Sequence, residues 1–360
     1  MNFKKLSLIG FVSIALFSCE KTETEPTQPY DSGVIVVNAG NFFDNNGTLS
    51  LVDRNSRTAS LDIFQKENSR PITGGISDYA EVDGKGIILV DNATTGQDKI
   101  EIVNARTLKS VATIPSSEIE NPRQVVKAGT DKAYITAWAA TGAYTDFYTN
   151  KGYVAVLDLK TNKITKKITV QKGAESIVIV GNEAFVGDVN DGVVQVIDTQ
   201  TDTFKQEIKG VGSVSSLQAD ANGKLWGFVY QDAIRINPQT KQVEAKIRVG
   251  NHPDKTPGSL AFSADKKTIY FAYTFYDPAD NYLQKGEVYS FNINDTTIPA
   301  TTPVSKKVVS GLGFDATSNL LYAGVTPSYK QAGFVYRYQP NGTLVDSVKV
   351  EIAPAKFIFK

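Results

Sequence analysis

One short unit, copied several times, confines this chain to very few architectures. Its clearest copy runs from Gly192 to Gly210: Val194 and Val196, then Asp198-Thr-Gln-Thr201, then Phe204. Apolar residues at near-alternate positions on either side of turn formers read as strand, tight turn, strand. Asp158–Thr161 sits in the same way between Val154–Leu157 and Ile164–Ile168, and Asn237–Thr240 between Ile234–Ile236 and Val243–Ile247. Asn104–Thr107 and Asp53–Ser56 hold the same place earlier, and Gln339–Gly342 is a looser copy near the end. The leading Asp or Asn oxygen accepts from backbone N–H groups two or three residues on, and the Thr or Ser hydroxyl does the same from the far side of the turn. The tetrad therefore sets a hairpin and needs no catalytic reading.

Full repeats hold four strands, A to D from the ring axis outward. The third reads Gln124–Lys127, Lys132–Thr136, Gly152–Leu157 and Ile164–Ile168. Periods of roughly 40–50 residues, in units that cannot bury their own faces, are typical of propellers. The array opens with a strand B, Val34–Val37, followed by Thr48–Val52 and Ala59–Phe64, and it lacks a strand A. It closes with Ala355–Lys360, a strand A without a blade. Joining the two removes two exposed sheet edges. The prediction is an all-β, seven-bladed β-propeller over residues 33–360, with four-stranded blades and the ring closed by the C-terminal strand pairing into blade one. Phe357 and Phe359, two apart, then share one side of that strand, between blades one and seven. Blade six has the poorest signal for a fourth strand, because Thr296–Ser310 is rich in Thr and Pro.

The start of the chain has a different character. Lys4 and Lys5 precede an apolar run, Leu6–Phe17, too short to span a bilayer as a helix. That is the pattern of a secretory signal over residues 1–18. Leu16-Phe-Ser-Cys19 resembles the lipobox of bacterial lipoproteins, which implies acylation of Cys19 and a membrane anchor of several acyl chains. The alternative is an ordinary signal peptide with an incidental cysteine. Residues 19–32 make a polar tether, and Glu20, Glu23 and Glu25 resemble the export signal that takes lipoproteins of Bacteroidota to the outer face of the outer membrane.

The inventory narrows the chemistry. Lysine and arginine number 38 against 38 aspartate and glutamate. Loss of Lys4 and Lys5 with the signal leaves a slightly acidic chain, which is not the footprint of a nucleic-acid binder. His252 is the only histidine and Cys19 the only cysteine, so a multi-histidine or thiolate metal site is excluded, and a Ser-His-Asp set would have to use His252. His252 lies in Gly250-Asn-His-Pro-Asp254, where a strand D passes to the next A, and reads as a loop residue. Asp277–Asn281 and Asp188–Asp191 carry oxygens suited to calcium but lack the regular spacing of calcium loops, so they read as turns first. No catalytic residue, metal or cofactor is assigned.

The loops differ between the two ends of the ring. The B–C and D–A connections lie on one face, the A–B and C–D turns on the other. Asn38–Gly47, Trp138–Lys151, Thr274–Lys285 and Thr326–Gln331 are long B–C loops, whereas Asp188–Asp191 and Tyr230–Asp232 are short. An uneven rim predicts a cleft over blades four and five. The long loops carry Phe42, Phe43, Trp138, Tyr144, Phe147, Tyr148, Phe275, Tyr276, Tyr282 and Tyr329, a large apolar area to leave uncovered. Such rings give flat apolar contact with a polar handle. Arg70 and Arg123, each beside a proline in a D–A loop, are expected near the axis on this face, to meet an anion or to cap a blade. The candidate ligand-binding residues are Asn41, Phe42, Arg70, Arg123, Trp138, Tyr144, Phe147, Asp188, Tyr230, His252, Tyr276 and Tyr329.

Repeats of the form strand–Val-Ile-Asp-x-x-Thr–strand resemble the YncE-like propellers. Val36-Val-Asn-Ala-Gly-Asn-Phe42 and Gly333-Phe-Val-Tyr-Arg-Tyr338, with Ile352-Ala-Pro354, resemble the surface-lipoprotein branch of that family in Bacteroidota. The resemblance implies the propeller fold and an outer-membrane, outward-facing location. One related group captures cobalamin for an outer-membrane transporter, so a corrinoid is one candidate ligand, although no ligand-specific motif places this chain there. The leading expectation is a non-enzymatic module that takes up a small-molecule nutrient with a transporter. A structural or adhesive propeller that binds a protein or glycan is the second, and an enzyme, either a metal-dependent lactonase-like hydrolase or a quinone-cofactor propeller, the third.

Overall fold

The computed structural model describes residues 27–140 and 147–360. Seven antiparallel sheets stand around one axis. Blade one is assembled from both ends of the described chain, in the order Pro354–Phe359, Val34–Asn38, Thr48–Val52, Ala59–Ser60. The closing pair runs from Val34 opposite Phe359 to Asn38 opposite Pro354. Blades two to five and blade seven take consecutive strands in the order A–B–C–D.

Blade six departs from the pattern. It has three regular strands, Thr256–Phe262, Thr268–Asp277 and Leu283–Asn292. A single antiparallel bridge between Ser305 and Val288 stands where the fourth would lie. Blade one also corrects the reading. Its strand D is only Ala59–Ser60, and Ile63–Asn68 is a short helix with Asp62 as N-cap, which buries Ile63 and Phe64. Thr274–Lys285 is not a loop: strands B and C of blade six continue through it as a ladder, from Thr274 opposite Gly286 to Asp277 opposite Leu283.

The apolar core is divided among the blade interfaces. One cluster joins Ile87, Leu89 and Ile102 of blade two to Val125, Ile135 and Tyr153 of blade three. Another joins Val34 and Val36 of blade one to Tyr322 and Val335 of blade seven. Middle strands are covered on both faces, so Val34–Asn38 and Leu225–Val229 are buried throughout. They read as near-continuous apolar runs, as sheets covered on both faces do. The outermost strands are open to solvent, as in Thr203–Glu207.

The recurrent tetrads are Asx turns. Asp198 Oδ1 accepts from the N–H groups of Gln200 and Thr201 at 2.9 and 3.0 Å. Asp158 serves Lys160 and Thr161, Asn237 serves Gln239 and Thr240, and Asn104 serves Arg106 and Thr107. These donors hold the Asp158 and Asp198 carboxyls below their usual range. The residue after each tetrad, Leu108, Asn162, Asp202 or Lys241, is left-handed, and the adjoining ladder is bulged. That is a type I turn with a following bulge.

Polar side chains lock neighbouring blades together. Asp78 Oδ2 accepts from Val125 N–H at 2.9 Å, and Gln124 Oε1 from Ile177 N–H at 2.8 Å. Arg337 of blade seven donates to the carbonyls of Asp53, Arg54 and Ser56 in blade one and pairs with Asp346. The closing strand fits a trough of glycines on blade seven. A Cβ on Gly311 would lie 2.8 Å from Ala355 Cα, and one on Gly324 would lie 2.8 Å from the Pro354 carbonyl carbon. Phe357 and Phe359 pack on Tyr322, with ring centres 5.8 and 5.2 Å away, between blades one and seven as predicted.

Candidate functional site

The face bearing the B–C and D–A connections divides into a closed side and an open side. Blade three is closed. Trp138 is only 8 % exposed, with the rings of Phe147 and Tyr148 at 5.1 and 5.0 Å. The Arg123 guanidinium covers its face at 4.1 Å. Trp138 therefore packs its own loop down and does not stand outside the blades. Among the described residues its indole Nε1 and the Oδ1 of Asn121 have no hydrogen-bond partner.

Arg123 lies not in a D–A loop but at the start of strand A of blade three, Pro122–Gly129, and it is already engaged. It bonds Asp91 at 2.8 Å and holds Glu175 through Nε and Nη2 at 3.0 and 3.1 Å. Burial works against its charge; Glu175 and Asp91 more than offset that and raise its pKa. Asp98 lies close by, 4 % exposed, accepting from the N–H groups of Asn92 and Asn121. Burial raises its carboxyl to about 6 against that pull.

Arg70 does not reach the axis. It forms a two-pronged pair with Glu101, in strand C of blade two, at 2.9 and 2.8 Å and lies over Phe64. The Asp188 carboxylate, 3 % exposed, accepts from the N–H groups of Asn190, Asp191, Gly192 and Val193. Burial lifts its pKa, and those four donors pull the other way. Its job is to fold its own loop. Asn41 similarly accepts from the N–H groups of Phe43 and Asp44, and Phe42 lies edge-on to Phe43 at 5.4 Å. His252 is exposed on its loop, with its carbonyl accepting from Gln231 Nε2. Among the described residues, no group of three or more His, Cys, Asp or Glu is placed to hold a metal ion. Tyr144 and Cys19 lie outside the described residues.

Blades one, five, six and seven form the open side. Phe43 and Tyr230 are 76 % and 79 % exposed, and Tyr276, Tyr282, Leu283 and Tyr329 are also exposed. Every exposed tyrosine among the described residues lies on this face. Between blades four and five a concavity of about 500 Å³ lies on the opposite face, lined by Asn182, Asp198 and Gln239. A cleft of about 530 Å³ opens between blades six and seven. Its wall includes Phe275 from strand B of blade six, Val308 from the linker between the blades, and Phe334 and Tyr336 from strand C of blade seven. Lys306 and Lys307 line it from the same linker. Of these, Phe275 alone stood among the aromatics picked out in the loops. The others lie in blade strands or in the Thr- and Pro-rich stretch, and the only sequence signal was that stretch's failure to read as a strand.

Comparison with solved structures places the fold among propellers. A quinonprotein alcohol dehydrogenase-like protein from Bacteroides thetaiotaomicron is similar at 16 % identity and a TM-score of 0.65, covering 89 % of this chain and 78 % of that one. Hydrazine synthase of Kuenenia stuttgartiensis is similar at 16 % identity and a TM-score of 0.54, over 74 % and 84 % of the two chains. The Pan2 WD40 domain of Neurospora crassa is similar at 12 % identity and a TM-score of 0.54, over 79 % and 82 %. At these identities the likeness concerns the fold. No curated protein matches the sequence. The family model described as "Domain of unknown function (DUF5074)" spans residues 32–360, essentially the whole propeller, and the chain belongs to that family.

Proposed function

We propose that this protein is a lipid-anchored propeller of the outer membrane, facing the exterior, that binds a ligand on its B–C and D–A face and passes it to an outer-membrane transporter. One observation carries the binding part: the exposed tyrosines gather on that face, beside a cleft of ligand size. The signal and Leu16–Cys19 support the anchor, and the resemblance to surface-lipoprotein propellers supports the location. Binding is favoured over catalysis because Arg70, Arg123, Asp91, Glu101, Glu175 and Asp188 are committed to ion pairs and turns. A protein or glycan partner is the second reading. It is favoured by the blade-six hairpin, which carries Tyr276, Tyr282 and Leu283 exposed at its tip.

The test is native mass spectrometry of the purified protein incubated with corrinoids, haem, glycans and siderophores, followed by affinity measurements on Tyr230→Ser and Tyr276→Ser. A retained ligand whose affinity falls by about tenfold in either variant, roughly 1.4 kcal/mol, fits the reading. A ligand whose affinity is untouched by both, yet lost in the opposite-face variant Thr240→Ala, would refute the assignment of faces. Cys19→Ala should release the protein from the membrane fraction; unchanged fractionation would exclude the anchor.

A further inference from the structure

Resting on that binding reading, we propose that the cleft between blades six and seven is the seat of the ligand, and that the ligand is a small organic anion with a flat apolar body. The apolar part follows from the wall. Phe275, Phe334, Tyr336, Val308 and Pro327 line one concavity. The rings of Phe334 and Tyr336 stand 6.3 Å apart at 70°, an edge-to-face arrangement that leaves ring surface free.

The anionic part follows from tracing each charge. Lys285 pairs with Asp280 outside the wall, and Glu287 is held by Lys255 at 2.5 Å and by the Tyr289 hydroxyl at 2.9 Å. Asp277 accepts from Ala279 N–H at 3.0 Å as a helix cap. Lys306 and Lys307 are exposed, and neither has a carboxylate partner among the described residues. The Lys307 ammonium lies 5.4 Å from the Tyr336 ring centre. Of the two lining carboxylates only Asp277 lacks a lysine partner, so the two ammonium groups of Lys306 and Lys307 outnumber it beside an apolar wall. In such surroundings an ion pair with a ligand is worth more than on an open surface.

The backbone that carries the lysines is also fixed in place before any ligand arrives. Val304 N–H donates to the Val288 carbonyl at 2.6 Å, and Val288 N–H to the Ser305 carbonyl at 2.8 Å. The Ser305 and Tyr338 hydroxyls bond at 2.9 Å. Gly286 lets the linker lie directly on strand C, since a Cβ there would stand 2.6 Å from Val308 Cα. The stretch that fails to form a fourth strand is thus pinned at one bridge and carries its lysines to the cleft. Pre-ordering of this kind lowers the entropy cost of binding.

Titration calorimetry with 2-naphthoate and its neutral counterpart 2-naphthylmethanol tests the proposal. The wild type, Lys306→Gln/Lys307→Gln and Phe275→Ala/Tyr336→Ala are compared at low salt, with melting curves to confirm that each variant folds. The wild type should bind naphthoate about tenfold more tightly than the alcohol. The lysine variant should lose that preference while keeping its affinity for the alcohol, and the aromatic variant should bind both probes more weakly. Equal binding of the two probes, or a preference that survives in the lysine variant, overturns the anion assignment and leaves an aromatic binding face standing. Binding of neither probe overturns the cleft as the seat, and the capture experiment on the whole face then decides the broader reading independently.

Discussion

Gly311→Ala tests how the ring closes. Gly311 lies in strand A of blade seven, Val309–Asp315, under the closing strand Pro354–Phe359. Its new Cβ would stand 2.8 Å from Ala355 Cα and closer still to the adjoining carbonyl. A main-chain carbonyl cannot swing aside as a side-chain tip can, so the strand would have to back away by roughly an ångström in a close-packed seam. Overpacking usually costs about 1–3 kcal/mol, and the upper end applies here because the displaced group is main chain of the ring-closing strand. With an unfolding entropy near 2.1 cal/mol/K per residue, a unit of this size changes by about 0.7 kcal/mol/K, so 3 kcal/mol lowers Tm by about 4 °C. Gly258→Ala is the control, because a Cβ there meets nothing within 4 Å and should shift stability by no more than about 0.5 kcal/mol. Calorimetric melts and guanidinium midpoints of both variants are the assay. If Gly311→Ala melts with Gly258→Ala and the wild type, the closing strand does not lie in that trough.

Other expectations follow from groups the fold has enclosed. Trp138→Ala should cost about 3–5 kcal/mol of stability by emptying the pocket under Phe147, Tyr148 and Arg123; a denaturant midpoint equal to the wild type would mean the ring is not buried. Arg337→Ala strips Asp346 of its buried partner and should cost about 3–5 kcal/mol, with part recovered in the double variant with Asp346→Ala. Asp98 has a folded pKa raised to about 6, so the folded state binds its proton more tightly than the unfolded state. Its contribution to stability therefore grows as pH falls from about 6 to 4, by roughly 2–3 kcal/mol across the window. Asp98→Asn should remove that slope from unfolding curves measured between pH 4 and 7, and an identical slope in both proteins would refute the role given to Asp98.

The parts legible in the sequence are those fixed by local chemistry. Asp198 and Thr201 announce their turn because the hydrogen bonds that make it span three residues. Leu225–Val229 announces itself because both faces of the strand are covered. Arg70 and Arg123 were not legible, since their partners Glu101, Asp91 and Glu175 lie in other strands, brought together by ring geometry. Trp138 misled for a related reason: an aromatic in a loop reads alike whether it folds inward or stands out. The cleft required Phe275, Val308 and Tyr336 to meet across two blades, and its position followed from where the blade-six hairpin stays paired. Ile63 and Phe64 continue an apolar alternation too short to separate a strand from one helical turn.

The pairing of Val34–Asn38 with Pro354–Phe359 sets an order of events during synthesis. The second strand of blade one leaves the ribosome almost a full ring ahead of its partner. Its row of unpaired N–H and C=O groups stays open while six other blades are made, and such an edge invites pairing with another chain. Two complete chains whose rings have not yet closed can satisfy each other by exchanging closing strands, which would give a swapped dimer with the same hydrogen bonds as the monomer. Early blades must therefore be kept apart until the last strand of the ring is available, and concentration during refolding should decide between closed monomers and exchanged pairs.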